Sequence, residues 1–292
     1  MNKKLAILLT HGMGDITKGE FQDRVDELSN SVKKELKGDY SSIFFEPVYF
    51  QDILQDNQYA VFRKIRRETE IDWIKLRKFM LYSFSDAASL EHRSHQSDSV
   101  YYEAQKRIFD SLRAIYEKLG KGSKNVIFIA QSLGGQVLSN YIWDAQSKNP
   151  KQGVWMKDYS ATVPKGSDIE NFIRLKGLKT LFTTGCNIPL FVAGRNKIQS
   201  IYTNRNGYSF EWHNFYDEDD VLGWPLKPLG KFFDQDKDGA SYYDSITRDH
   251  EINANSTFQS TITKSWNPLS HGEYWRDRKF IKYLVNRIDE YI

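Results

Sequence analysis

A single cysteine, Cys186, excludes an internal disulfide and fits a reducing compartment. No apolar run approaches the roughly 20 residues that a membrane-spanning helix needs. An excess of one charge is also missing: 41 Lys and Arg face 38 Asp and Glu, a net +3. With no long basic block and no fingerprint motif, nucleic acid is not an expected partner. Internal repeats and low-complexity linkers are absent as well, so solenoid and tethered-module architectures drop out. Lys3-Lys4 before Leu5–Leu9 has the outline of a signal peptide. The apolar run is short, however, and passes into His11-Gly12-Met13-Gly14 without a small-residue cleavage site, so a cytoplasmic location is expected.

What is present is a core. Aromatic residues make up 14% of the chain, with 18 Phe and 17 Tyr, too many for a disordered polymer. A chain of 292 residues can bury about three quarters of its unfolded surface. One α/β domain over residues 1–292 is the expected organisation. Leu5–Leu9 reads as a buried strand. Glu20–Leu36 reads as a helix, because Phe21, Val25, Leu28, Val32 and Leu36 recur at three- and four-residue steps. Ile43–Phe50 is the next strand, and Pro47 inside it predicts an edge position or a bulge. Strand, helix and strand in this order predict a parallel βαβ unit.

Residues 51–123 are far longer than one crossover needs and predict a helical insertion or cap. Gln58–Phe84 carries apolar positions at Phe62, Ile65, Trp73, Leu76 and Met80. Arg63, Lys64, Arg66, Arg67, Lys75, Arg77 and Lys78 make its other face basic. The first reading is an ordinary helix pair with a solvated face, since Glu68, Glu70 and Asp72 interrupt the positive charge. The second is a cap whose basic face meets anionic lipid, which leaves peripheral membrane contact open. Tyr101–Leu119 is a further helix, expected to pack on the sheet.

The most informative stretch follows, Asn125–Gly135, NVIFIAQSLGG. Five apolar, β-capable residues run into Gln131, Ser132, Leu133 and two glycines, and a polar amphipathic segment continues to Ser147. A buried strand that turns at a serine and becomes a helix is a nucleophile elbow, and the small residues Ala130 and Gly134 let the backbones close around it. Asn149–Asp168 is expected to be a surface excursion. Leu178–Thr184, Tyr208–Phe215 and Ser245–Ile252 read as strands, and Lys279–Ile288 as a closing helix. Cys186, in the turn after Leu178–Thr184, is expected to be a buried inert thiol.

A serine hydroxyl needs a histidine to take its proton and a carboxylate to hold that histidine in one tautomer. The order offered is Ser132, then Asp219 or Asp220, then His271 in the loop before the last helix. That chain order excludes the chymotrypsin and subtilisin arrangements. Asp220 is preferred to Asp219 because it leads into the apolar stretch Val221–Leu226; Asp217 and Glu218 are expected on the outer loop. Charge on a carbonyl oxygen would be met by the N–H groups of Leu133 and Met13. His11 is expected to brace the loop that carries Met13 rather than to act as a base.

Across nearly all its length the chain resembles the α/β-hydrolase superfamily, in its lipase and esterase-like branch. The resemblance is carried by THGMG at 10–14, AQSLGG at 130–135, YDEDDVLGWPL at 216–226 and SHGEYW at 270–275. It implies an α/β-hydrolase fold, triad roles for Ser132, Asp220 and His271, and oxyanion donation by Met13 and Leu133. Ala130 in place of a glycine and Gln131 in place of a histidine are its departures. The expected activity is hydrolysis of a small-molecule or lipid carboxylic ester through an acyl-enzyme, with no cofactor. A thioesterase or amidase with the same triad, and a non-catalytic binding protein on the same fold, are the alternatives. Asp234–Gly239 reproduces half of a calcium loop, but Ser245 stands where the bidentate glutamate belongs, so a tight acidic turn is expected and no metal.

Overall fold

The structure, a computed structural model, describes residues 3–92, 94–119, 124–156, 162–194, 200–204, 207–229, 247–253 and 273–292. Among the described residues six strands form one parallel sheet: β1 (Leu5–Thr10), β2 (Ile43–Val48), β3 (Asn125–Gln131), β4 (Leu178–Thr184), β5 (Glu211–Tyr216) and β6 (Thr247–Glu251). Their spatial order is β2-β1-β3-β4-β5-β6. The chain moves outward from β1 to β2, then returns across β1 to start β3. The crevice between β1 and β3 is therefore the point where the winding reverses, the usual ligand position of such sheets.

Side-chain alternation decides which layer each strand residue joins. Ala6 and Leu8 of β1 and Val126, Phe128 and Ala130 of β3 face α4 (Val100–Lys118) and α5 (Leu133–Gln146). Leu5, Ile7, Leu9, Ile127 and Ile129 face α1 (Lys18–Glu35) and the C-terminal helix Arg278–Tyr291. Both faces of β1 and β3 are covered, which is why these strands read as continuous apolar runs. Thr17 and Glu20 close the start of α1 as a reciprocal capping box.

Between β2 and β3 lie three helices, α2 (Gln55–Glu68), α3 (Ile74–Glu91) and α4. Only α4 is buried along a whole face on the sheet. The stretch Gln58–Phe84 is a helix pair and not one helix. The Thr69 hydroxyl returns to the Ile65 carbonyl at 2.7 Å, and Trp73 takes a left-handed φ of 59°. Glu68, Glu70 and Asp72 at a helix C-terminus oppose its dipole, which favours the break. Pro47 lies on the edge strand, as its missing N–H requires.

Three boundaries or environments differ from the sequence expectation. β5 starts at Glu211 and not at Tyr208. The segment after the elbow is not polar but buried, because α5 sits against the middle of the sheet. Within the expected surface excursion, Val154 and Trp155 are buried, Trp155 packing edge-on to Phe109 with ring centroids 5.4 Å apart. After α6 (Asp168–Ile173) and α7 (Ile188–Val192), the helix Arg278–Tyr291 is α8. Among the described residues no helix is long and apolar enough to cross a membrane.

Candidate active site

The carboxyl ends of β1, β3 and β4 converge on one serine. Ser132 follows β3 directly and precedes α5; it has φ 50° and ψ −121° and is fully buried. A positive φ is costly for a residue with a Cβ and persists only where its surroundings enforce it. Here the Ser132 N–H is held by the Thr184 carbonyl at the end of β4 (2.9 Å), and its own carbonyl receives the Gly135 N–H (2.9 Å). Strand order and serine turn together decide the architecture. The fold is an α/β-hydrolase fold.

Two glycines allow the close packing around the elbow of this α/β-hydrolase fold. A Cβ on Gly12 would stand 2.8 Å from Ser132 Cβ. One on Gly134 would stand 2.4 Å from Thr10 Oγ1 and 2.6 Å from the His11 carbonyl oxygen. Gly134→Ala is expected to lower stability by about 2–3 kcal/mol despite the better helix propensity of alanine, because the opposing atoms include backbone. Gly135→Ala, whose Cβ would meet only Cys186 Sγ at 3.2 Å and Thr183 Cγ2 at 3.5 Å, should cost clearly less in the same urea titration.

His11 is wholly buried, its ring stacked on Phe50 at 4.1 Å. The Phe50 N–H donates to Nε2 (3.1 Å), so Nδ1 carries the proton and donates to the Gly12 carbonyl (2.8 Å). Both ring nitrogens serve the backbone, which makes His11 a brace of the loop and leaves it no role as a base. Burial pushes its pKa down from 6.5 to about 4, against the smaller raising effect of the Gly12 hydrogen bond. The unfolded ring therefore takes up its proton first as pH falls. The stability contributed by neutral His11 is complete above about 6.5 and is lost progressively toward pH 4, on the order of 3 kcal/mol in all. In denaturant titrations across that window, His11→Phe should remove close to one proton from the pH slope of unfolding.

The loop after His11 is tied to the helical insertion by a residue with no sequence signal. Asp86 of α3 is completely buried, and its Oδ2 accepts the Gly14 N–H at 3.0 Å. Gln51 and Gln58 donate to the same carboxylate. Burial raises the Asp86 pKa, and these hydrogen bonds oppose the rise. Lys78, also on α3, pairs with Asp15. Gly12 packs against Ser132, and half-buried Met13 follows it on this anchored loop; Leu133, buried at the first position of α5, follows Ser132 directly. The first N–H groups of a helix have no intrahelical acceptor.

Beyond β4, Asn187 is buried and donates through Nδ2 to Ser132 Oγ at 3.4 Å. The sequence places a turn after Leu178–Thr184 but does not single out this side chain. Cys186 is fully buried and its thiol pKa is pushed up to about 12 by desolvation, so it is the inert thiol expected there. Trp224 N–H donates to the Cys186 carbonyl (2.9 Å), which draws the loop after β5 toward the elbow.

In that loop Asp220 is buried while Asp219 and Glu218 are exposed. Asp220 Oδ1 accepts the Leu222 N–H at 3.0 Å and Oδ2 accepts the Tyr274 hydroxyl at 2.7 Å. The same phenol oxygen receives the Asp217 N–H at 3.1 Å. Asp217 is not an outer-loop residue, in contrast to the sequence expectation: it is buried, and its carboxylate caps the Asp219 N–H at 2.9 Å. Burial beside Asp220 raises the Tyr274 pKa, so this phenol remains a donor. Tyr274 and Trp275 belong to the core and not to an open acyl pocket; Trp275 Nε1 donates to Thr184 Oγ1 at the end of β4 (3.2 Å). His271 and the segment Asp234–Gly239 lie outside the described residues. Among those described, no cluster of three or more His, Cys, Asp or Glu is placed to hold a metal.

No protein-family model matches the chain, and no curated protein sequence matches it. Among solved structures it is similar to that of esterase PE8, at 11% identity and a TM-score of 0.43, covering 100% of this chain and 94% of that one. It is also similar to phospholipase PlaB from Legionella pneumophila in complex with thio-NAD, at 12% identity and a TM-score of 0.26. That overlap covers 73% of this chain and 38% of PlaB.

Proposed function

We propose that the protein is a serine hydrolase that cleaves carboxylic esters through an acyl-enzyme, lipid esters among them. The observation that carries this reading is Ser132 itself, a non-glycine residue held at φ 50° between a buried strand and a helix N-terminus. A fold with no use for a projecting hydroxyl has no reason to keep that strain. Ser132 Oγ attacks the carbonyl carbon and its proton passes to His271. Asp220 holds the imidazole in the tautomer that can accept that proton. The oxyanion is met by the Met13 and Leu133 N–H groups. Collapse of the adduct returns the proton to the departing alcohol, and water, deprotonated by His271, then releases the acid.

Two features support the choice of partners. Tyr274, three residues after His271 in sequence, donates its hydroxyl to Asp220, so a residue close to His271 along the chain stands beside this carboxylate. Asp220 is buried and already oriented by two donors, whereas Asp219 faces water. We read the chain as one domain with a helical insertion, cytoplasmic and without a cofactor. Pre-steady-state hydrolysis of p-nitrophenyl esters tests the reading: a burst of about one nitrophenolate per chain is expected of a rate-limiting acyl-enzyme. Matched thioesters and anilides in the same assay distinguish esterase from thioesterase and amidase. No turnover of any acyl substrate by folded protein would leave a binding protein on this fold.

A further inference from the structure

Six of the nine large apolar side chains exposed among the described residues lie on the α2–α3 hairpin: Tyr59, Val61, Ile65, Trp73, Met80 and Phe84. On α3 Met80 (40% exposed) and Phe84 (64%) lie one turn apart, with Arg77 a turn before Met80 on the same stripe, and Trp73 (75%) is the exposed residue that precedes the helix. Trp73 holds a left-handed backbone at the start of the helix, an uncommon conformation for a bulky side chain. Between the two helices an open cleft of about 460 Å³ is lined by Tyr59, Ile74, Arg63, Arg66, Arg67 and Lys75, among others. Residues 57–84 hold seven cations against three acids, in a chain whose net charge is only +3. Apolar and positive surface are therefore concentrated together on one element.

We infer that this hairpin docks on an anionic lipid bilayer. An apolar stripe alone would fit a second copy of the chain or another protein. A basic cleft alone would be a solvated surface. Their combination fits the bilayer interface, where aromatic and aliphatic side chains enter the acyl boundary and Lys and Arg meet lipid phosphates. A second copy would bring the same seven cations against themselves. On the opposite face of α3, Asp86 holds the Gly14 N–H of the loop beside Ser132. Docking through Trp73, Met80 and Phe84 leaves that anchoring face toward the protein.

Vesicle flotation reads binding alone and stands whether or not Ser132 is a nucleophile. The full chain should float with phosphatidylcholine vesicles that contain phosphatidylserine and should remain behind with pure phosphatidylcholine. The triple variant Arg66→Glu, Arg67→Glu, Lys75→Glu should bind the anionic vesicles weaker by about 10²-fold or more. Trp73→Ser with Phe84→Ser, a change at exposed positions, should also lose flotation while circular dichroism and turnover of a short soluble ester stay as in the parent. Equal flotation of parent and both variants, or binding indifferent to phosphatidylserine, overturns the proposal. So does a dimer in sedimentation that the Trp73→Ser, Phe84→Ser variant dissolves, in a chain that does not float.

Discussion

Ser132→Ala is expected to reduce ester turnover by four to six orders of magnitude, on the order of 10⁴- to 10⁶-fold, with the fold intact. The alanine removes only an oxygen from a buried site, so the sheet and α5 should melt much as in the parent. A companion variant separates chemistry from strain. Ser132→Gly should be equally inactive but more stable than Ser132→Ala by about 1 kcal/mol, because glycine adopts a positive φ without the Cβ conflict. The comparison uses urea midpoints and initial rates on the same preparations. If the glycine variant is the less stable of the two, the backbone at residue 132 is not under the strain described.

Asp220→Asn is expected to lower kcat by about 10⁴-fold, the scale seen when a triad histidine loses its anchoring carboxylate. The substitution keeps the size of the side chain but offers the imidazole an amide in place of a charge. The Tyr274 hydroxyl can still donate to the amide oxygen, but the amide NH2 then faces the Leu222 N–H, so a stability loss of about 1–2 kcal/mol is expected beside the loss of kcat. Asp219→Asn, at an exposed position, should change kcat by no more than a fewfold. Asp217→Asn supplies the informative contrast, since Asp217 is also buried but its carboxylate caps the Asp219 N–H. Its cost should appear in urea titrations more than in kcat. A kcat deficit centred on Asp217 or Asp219 would move the acid and shift the register of the loop.

The sheet was legible because its strands are short apolar runs separated by amphipathic helices, and because β1 and β3 are buried on both faces. The turn at Ser132 was legible because small residues at 130 and 134 are needed where strand and helix close. Inside the acidic run, the inward turn of Asp220 was legible from the apolar stretch that follows it, but the burial of Asp217 was not. Four consecutive acids carry no periodicity, and the phenol that receives the Asp217 N–H belongs to Tyr274, more than fifty residues later. Asp86 was hidden for the same reason: a lone aspartate between Ser85 and Ala87 looks solvated until Gly14, Gln51 and Gln58 are brought to it. Asn187 was likewise one polar residue in a turn until β4 delivered it to Ser132. In each case the partner lies far away in sequence, where local pattern carries no information.

The sequence also carried both readings of the α2–α3 hairpin, and side-chain exposure bears on the choice between them. A solvated helix pair would turn its apolar positions inward. Phe62 and Tyr82 do so, their rings meeting edge-on at 6.4 Å, but Trp73, Met80 and Phe84 do not.

Central to this account is that Ser132 is a nucleophile. Treating the folded protein with a fluorophosphonate and mapping the adduct by peptide mass spectrometry addresses it most directly. One phosphonyl group per chain is expected, carried on Ser132, and none on Ser132→Ala under the same conditions. An adduct on another residue, equal labelling of the alanine variant, or no adduct on folded protein would contradict it.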